Sequence, residues 1–225
     1  MEHEQPRLAE PLREEKAWES DGVTVLTASV TLPQLPGGSA GARRFNRYYR
    51  RFCRAYLSYC SQLLLRDAAE SCREAMASSA PWEVAHAELV WHASLHRGDL
   101  LSVVCETRET VFGMPPFSIR RGEVWDLGMG LPMPLEEFFP PHVRCKKALL
   151  RHARSRTPER IAAGEAFRED WRVQERRALD TRNFCLTEKG LRFFYPLGSV
   201  ASAKEGIVNF TMPYDEESGP FLPPI

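Results

Sequence analysis

Three histidines and a glutamate, His86, His92, His96 and Glu88, recur at even positions in one stretch of this 225-residue chain. Imidazole with carboxylate is a set that can hold a metal or move a proton. The stretch alternates apolar and polar residues, so it is expected to be a strand with these four side chains on one face. Strand residues four or six apart are separated by ~13–20 Å, at ~3.3 Å per residue, which is too far to share one ion. Only His86 and Glu88 are close neighbours. The spacing therefore predicts a solvated polar face, with no metal. The six cysteines, at 53, 60, 72, 105, 145 and 185, show no CxxC pair. They are expected to be reduced and to serve as small apolar groups. No GxSxG elbow, Walker loop or GxGxxG fingerprint occurs, and the adjacent acids Glu136-Glu137 and Glu216-Glu217 read as solvated surface. These observations predict a non-enzymatic chain with no catalytic residues and no cofactor.

A second chemical feature is basic. At about 100° per residue, Phe45, Tyr48, Phe52, Tyr56, Tyr59 and Leu63 line one side of a helix expected over 42–78. Arg43, Arg44, Arg47, Arg50, Arg51 and Arg54 line the opposite side, and no acid occurs between 42 and 60. The aromatic stripe belongs on a sheet and the arginines in water. Arg43, Arg47, Arg50 and Arg54 are the candidate partner-binding residues, because cations without acidic neighbours repel one another and favour an outside counter-charge. Across the whole chain thirty basic residues balance thirty acidic ones, which argues against a protein-wide field for nucleic acid or membrane.

The elements that would position these groups read as α+β. Residues 1–19 are charged and are expected to form a flexible tail, followed by one compact region over 20–225 with parts 20–112 and 113–225. Val23 to Leu32 alternates as a strand and stops at Pro33. After the long helix, Trp82 to Phe112 reads as a hairpin. Apolar must meet apolar across it, pairing Leu95 with Leu101 and Ala93 with Val103. That register requires an odd-numbered loop around Arg97 to Asp99 and sets Glu88 opposite Arg108. Short strands are expected over 117–120 and 124–127, then helices over 142–155 and 158–179, with Thr157 as N-cap and Pro158 at the first helical position. Two closing strands, Gly190–Tyr195 and Gly206–Tyr214, would complete a mostly antiparallel sheet under the long helix. No apolar run reaches ~20 residues and no signal peptide is visible. Taken as it stands, the chain is expected to be cytoplasmic, or extracytoplasmic if it is a piece of an anchored protein.

Certain residues carry a resemblance. Asn46 lies in the long helix, Asp126, Gly130, Leu135, Glu136 and Phe139 form an acidic-aromatic segment, and Asn183, Phe184, Leu186, Thr187, Gly190, Leu191, Phe194, Tyr195, Gly206, Pro213 and Tyr214 close the chain. This pattern resembles the sensor region of the RsiV-type anti-sigma factors and the accessory domain of the PdaC-type peptidoglycan deacetylases. Two departures stand out: a Gly-Gly-Ala-His turn of the family is replaced by Phe112 to Pro116, without histidine, and no anchor-like apolar run is visible in these 225 residues. The resemblance implies a domain that binds or senses a protein or a cell-envelope glycan without doing chemistry, and lysozyme enters as a partner by family analogy alone. The basic ridge suits that basic protein only if it points elsewhere. Two alternatives stand beside this: a cytoplasmic interaction protein that turns its basic helix to an acidic partner or nucleic acid, and an enzyme whose site no motif reveals.

Overall fold

The structure is a computed structural model that describes residues 8–215 and 217–223. Its element order is β1 (Leu12–Ser20), β2 (Val23–Leu32), α1 (Ala40–Tyr59), a π-turn (Cys60–Leu64), α2 (Leu65–Ser78), β3 (Ala85–Arg97), β4 (Leu100–Thr110), β5 (Phe117–Asp126) and β6 (Leu131–Pro132). There follow α3 (Cys145–Ala162), α4 (Trp171–Ala178), β7 (Phe184–Thr187), β8 (Gly190–Phe194) and β9 (Asn209–Met212). Strands β1 to β6 are hydrogen-bonded in chain order as one sheet, and β7-β8-β9 form a second. The fold is mixed α+β, with a long helix and two further helices before the closing strands, as expected.

By contacts the chain divides into two compact units, 8–91 with 105–118, and 92–104 with 119–223, so the hairpin β3-β4 contributes to both. In the first unit, β1 corrects the expected tail over 12–19. Its nine residues pair with β2 from Leu12–Leu32 to Ser20–Val23. The segment is charged because it is an edge strand facing water, where charges discourage pairing with other chains. Residues 1–7 of the expected tail lie outside the described residues. β2 and β3 run parallel, Leu26 beside Ala85 through Val30 beside Leu89, a pairing that needs a long crossover. The helix supplies it and packs on β2.

That helix opens on Ser39, whose hydroxyl accepts from the Ala42 N–H at 2.9 Å, and closes on Ser79 in the left-handed conformation. Its buried line runs Phe45, Tyr49, Cys53, Tyr56, Cys60, Leu64, Ala68, Cys72 and Ala75. The expected aromatic stripe is displaced: Phe45 and Tyr56 are buried, Tyr48, Phe52 and Tyr59 half-buried, and Leu63 is 48% exposed. From Tyr56 to Cys72 the buried positions recur every fourth residue, which would drift about 40° per step on an ideal helix. The π-turn inserts one residue and returns the line to the sheet.

The hairpin argument is half right. Only Gly98 and Asp99 separate the strands, an even loop where an odd one is expected. A two-residue loop alone would put Ser94 and Ser102 on opposite faces, yet their hydroxyls meet at 3.0 Å. The register therefore shifts by one residue between Ser94 and the turn. Beyond that shift, Arg108 lies 3.6 Å from Glu88, as the parity of the pattern requires.

In the second unit, three expectations change. β5 runs unbroken through Gly122, where two segments are expected. An added Cβ there would lie 2.4 Å from the Phe184 carbonyl oxygen, so the glycine marks a close approach of β7 and not a turn. α3 continues past Pro158 to Ala162. Thr157 is no N-cap: its hydroxyl donates to the Ala153 carbonyl at 3.0 Å and to Glu175 Oε1 at 2.7 Å, inside the helix. The helix is held by this link and by Arg160, which pairs with Glu165 and lies 4.9 Å from the Phe210 ring. The closing strands form a separate sheet with β7 and do not extend the first. Their core gathers Phe138, Phe184, Phe193, Tyr195 and Phe210, with Phe193 and Phe210 stacked at 5.8 Å.

Gly190, at φ 150°, would place a Cβ 2.1 Å from the Met212 carbonyl oxygen. Gly190→Ala and Gly122→Ala are each expected to lower stability by about 2–3 kcal/mol. Gly37→Ala, which meets nothing within 4 Å, is expected to stay within about 0.5 kcal/mol of the parent. Urea denaturation with the m-value monitored checks all three.

Candidate functional site

A groove of about 700 Å³ lies on the first unit, lined by residues of β1, β2, β3 and β4. Its construction follows from register. β1 and β2 pair Ala17 with Thr27 and Glu15 with Ser29, and β2 and β3 pair Thr27 with His86 and Ser29 with Glu88. Period-two alternation then places Ala17, Thr27 and His86 in one outward row and Glu15, Ser29 and Glu88 in the next, about 6.6 Å away. Arg108 and Thr110 of β4 complete the lining. Between the rows, Ala28 and Ala87 point the other way and are buried. The groove and the covering helix therefore occupy opposite faces of one layer.

Polar contacts in the groove are few and specific. Thr27 Oγ1 and His86 Nδ1 are 2.7 Å apart. Arg108 bridges Glu88 at 3.6 Å and Glu106 at 3.4 Å. His86, Arg108 and Glu15 are exposed and Glu88 half-buried. Hydroxyl against imidazole is the arrangement of a nucleophile and base, but no carboxylate reaches the other nitrogen of His86 among the described residues. What the rows present is a set of hydrogen-bond donors and acceptors over small residues. His86 and Glu88 are the sequence candidates brought here. His92 is exposed and His96 half-buried on the part of β3 that belongs to the second unit. Among the described residues no three ligating side chains converge on a metal position. All six cysteines are buried, and none forms a disulfide among the described residues. Glu15 was missed because its strand reads as tail.

Two buried carboxylates also escaped the sequence reading. Glu109 is 5% exposed and accepts from the Tyr59 hydroxyl at 2.9 Å. Burial pushes its pKa up, against the pull of that hydrogen bond. The adjacent Cys60 thiol is pushed up to about 11, by burial first and by Glu109 second. A signal existed, since Glu109 continues the buried face Leu101, Val103, Cys105 and Thr107. Glu175 in α4 is fully buried. Oε1 takes the Thr157 hydroxyl, while Oε2 has no hydrogen bond and lies 3.9 Å from Arg154 Nε. Burial raises this pKa too, outweighing Thr157, Arg154 and Arg172. Nothing in the sequence around Glu175 foretells this.

Arg43, Arg47, Arg50 and Arg54 are all exposed on the side of α1 away from the buried line. Arg43 donates to the Gly38 carbonyl at 2.7 Å and Arg54 to that of Arg50 at 3.3 Å. The family-like residues have structural work. Asn46 holds both backbone groups of Leu35, at 2.8 and 2.9 Å. Asn183 accepts from the Gly122 N–H at 2.8 Å and donates to the Arg120 carbonyl at 3.1 Å. Asp126 closes a turn on Met129 and Gly130, and Tyr214 donates to the Thr187 carbonyl at 2.7 Å.

Residues 136–215 match a family model described as "Protein of unknown function (DUF3298)". No curated protein matches the chain. A solved structure of a DUF3298 family member from Bacteroides fragilis is 15% identical, with a TM-score of 0.64, covering 94% of this chain and 92% of its own. A second, from Pseudomonas aeruginosa, is 15% identical with a TM-score of 0.59 over the same shares. At that identity the likeness is one of fold.

Because Glu175 has a raised folded-state pKa, its neutral form supports the fold in acid, and that support is lost as pH rises through the folded-state value. Glu175→Gln keeps an acceptor for Thr157 and cannot ionise. The variant is expected to match the parent near about pH 4 and to be the more stable of the two at about pH 8. Denaturation midpoints measured across that range check the divergence, and parallel curves would show that Glu175 does not titrate as described.

Proposed function

We propose that this chain is a non-enzymatic binding domain whose ligand enters the groove over β1 to β4, and that the ligand is a cell-envelope glycan. The observation that carries this is the pair of outward rows, Ala17-Thr27-His86 and Glu15-Ser29-Glu88, bordered by Arg108. Hydroxyl, imidazole, carboxylate and guanidinium groups over a floor of small side chains suit the hydroxyl and amide groups of a sugar chain. The volume, about 700 Å³, is within the range of small-ligand sites. The resemblance to RsiV-type and PdaC-type regions supports a binding or sensing role of this kind. A protein partner such as lysozyme is the second reading, and the groove lends it support because it faces away from the arginine ridge.

His86→Ala combined with Arg108→Ala should weaken binding of solubilised peptidoglycan fragments by about tenfold, the loss of one or two hydrogen bonds to charged groups. Calorimetric titration of the parent and variant measures this, with lysozyme titrated in parallel. Unchanged affinity in the double variant would place the ligand elsewhere, and fragment cleavage during the titration would mark the chain as an enzyme.

A further inference from the structure

Two polar atoms of the second unit are buried without a hydrogen bond among the described residues, and the groove uses neither. They are Glu175 Oε2 on α4 and the hydroxyl of Tyr195, just past β8. Glu175 is fully buried and Tyr195 is 1% exposed. Both belong, with α3, to the unit of 92–104 and 119–223. A buried carboxylate oxygen or phenol left unpaired is costly, and native proteins seldom leave one so. Each of these atoms is also held in place. Thr157, itself bonded to the Ala153 carbonyl at 3.0 Å, fixes Glu175 Oε1 at 2.7 Å. The Tyr195 oxygen lies on the axis of its ring and moves only with it. That ring packs edge-on against Phe193 and Phe210, each with centroids 6.0 Å away, and the Tyr195 N–H donates to the Val208 carbonyl at 2.8 Å. A partner must therefore come from outside the chain.

The surroundings select what that partner is. Arg154 Nε lies 3.9 Å from Glu175 Oε2, too far for a direct hydrogen bond and a separation that one oxygen atom can bridge. Nη2 of the same guanidinium is committed elsewhere, donating to the Arg172 carbonyl at 3.1 Å. Burial first, then Glu175, push the Tyr195 pKa up, while Arg154 pulls it down, so the three groups act on one another. An anion would meet the Glu175 carboxylate and a cation the Arg154 guanidinium, and an apolar molecule would leave every polar atom unpaired. A small neutral molecule that both donates and accepts suits all three. We infer that Glu175 Oε2, the Tyr195 hydroxyl and Arg154 Nε form an internal binding site for a single water molecule, which ties α3 and α4 to the end of β8. The water donates to Glu175 Oε2 and accepts from Tyr195 and Arg154, about the number of bonds usual for a buried water. The site is independent of the groove and of the ligand proposed for it.

The test uses the full chain in two ways. In a crystal structure that shows ordered solvent, one water should lie within about 3.2 Å of Tyr195 Oη, Glu175 Oε2 and Arg154 Nε. Magnetic relaxation dispersion of the water oxygen counts long-lived internal waters in solution. Tyr195→Phe combined with Glu175→Met removes both unpaired atoms and leaves Thr157 its bond to the Ala153 carbonyl. With circular dichroism unchanged, this variant should hold one such water fewer than the parent. A direct hydrogen bond between Tyr195 and Glu175 in the crystal, no density between them, or an unchanged count in the folded variant overturns the site. If the variant does not fold, the crystal structure of the parent decides alone.

Discussion

The second unit depends on a backbone-to-backbone approach at Gly122. The Phe184 carbonyl lies where any side chain at 122 would begin, and the Asn183 amide beside it satisfies the N–H of Gly122 and the carbonyl of Arg120 together. A primary amide has a donor and an acceptor in fixed geometry, so it can close two backbone groups in one step. With this clamp set, β7 is held against β5, and its pairing with β8 carries Phe193 into the aromatic core. Gly190 repeats the device on β8, where the Met212 carbonyl occupies the side-chain position. Asn46 repeats the amide clamp in the first unit, on Leu35 at the exit of β2.

This explains why the residues that carry the family resemblance say little about a ligand. Asn46, Asp126, Asn183, Gly190 and Tyr214 all spend their polar or conformational capacity on the backbone of this chain. They specify architecture. The groove and the exposed arginine side are made of other residues. The groove is built from alternate positions of four strands, and the ridge from the outer side of a helix on the other face of the same layer. The polar groove and the exposed arginines thus lie on opposite faces of one layer, and neither uses a residue that carries the resemblance.

Much of the first unit was legible in the sequence. β2 and the helix follow from their periods, and the pairing of Glu88 with Arg108 follows from parity alone. The loop of that hairpin was not legible, because one residue is absorbed near the turn without any change in the apolar pattern. β1 was hidden because an edge strand needs little apolar surface when its partner provides the ladder. Pro158 was misleading: proline fits the first turn of a helix well, and only tertiary links through Thr157 and Arg160 show that the helix passes through it. Glu175 was invisible for a related reason, since a buried carboxylate is tolerated only where its distant partners converge.

What the sequence by itself determined were the local quantities: where the chain is helical or extended, which side of each element is apolar, and that six arginines share one side of α1. Period and side-chain chemistry act within a few residues, so they survive without knowledge of the fold. Only the tertiary structure decided that Glu15, Thr27, His86 and Arg108 meet in one groove, that the closing strands form their own sheet, and that Glu109 and Glu175 lose contact with water. Those outcomes depend on strand order, register and close approach between segments far apart in the chain, and no local pattern encodes a distance of that kind.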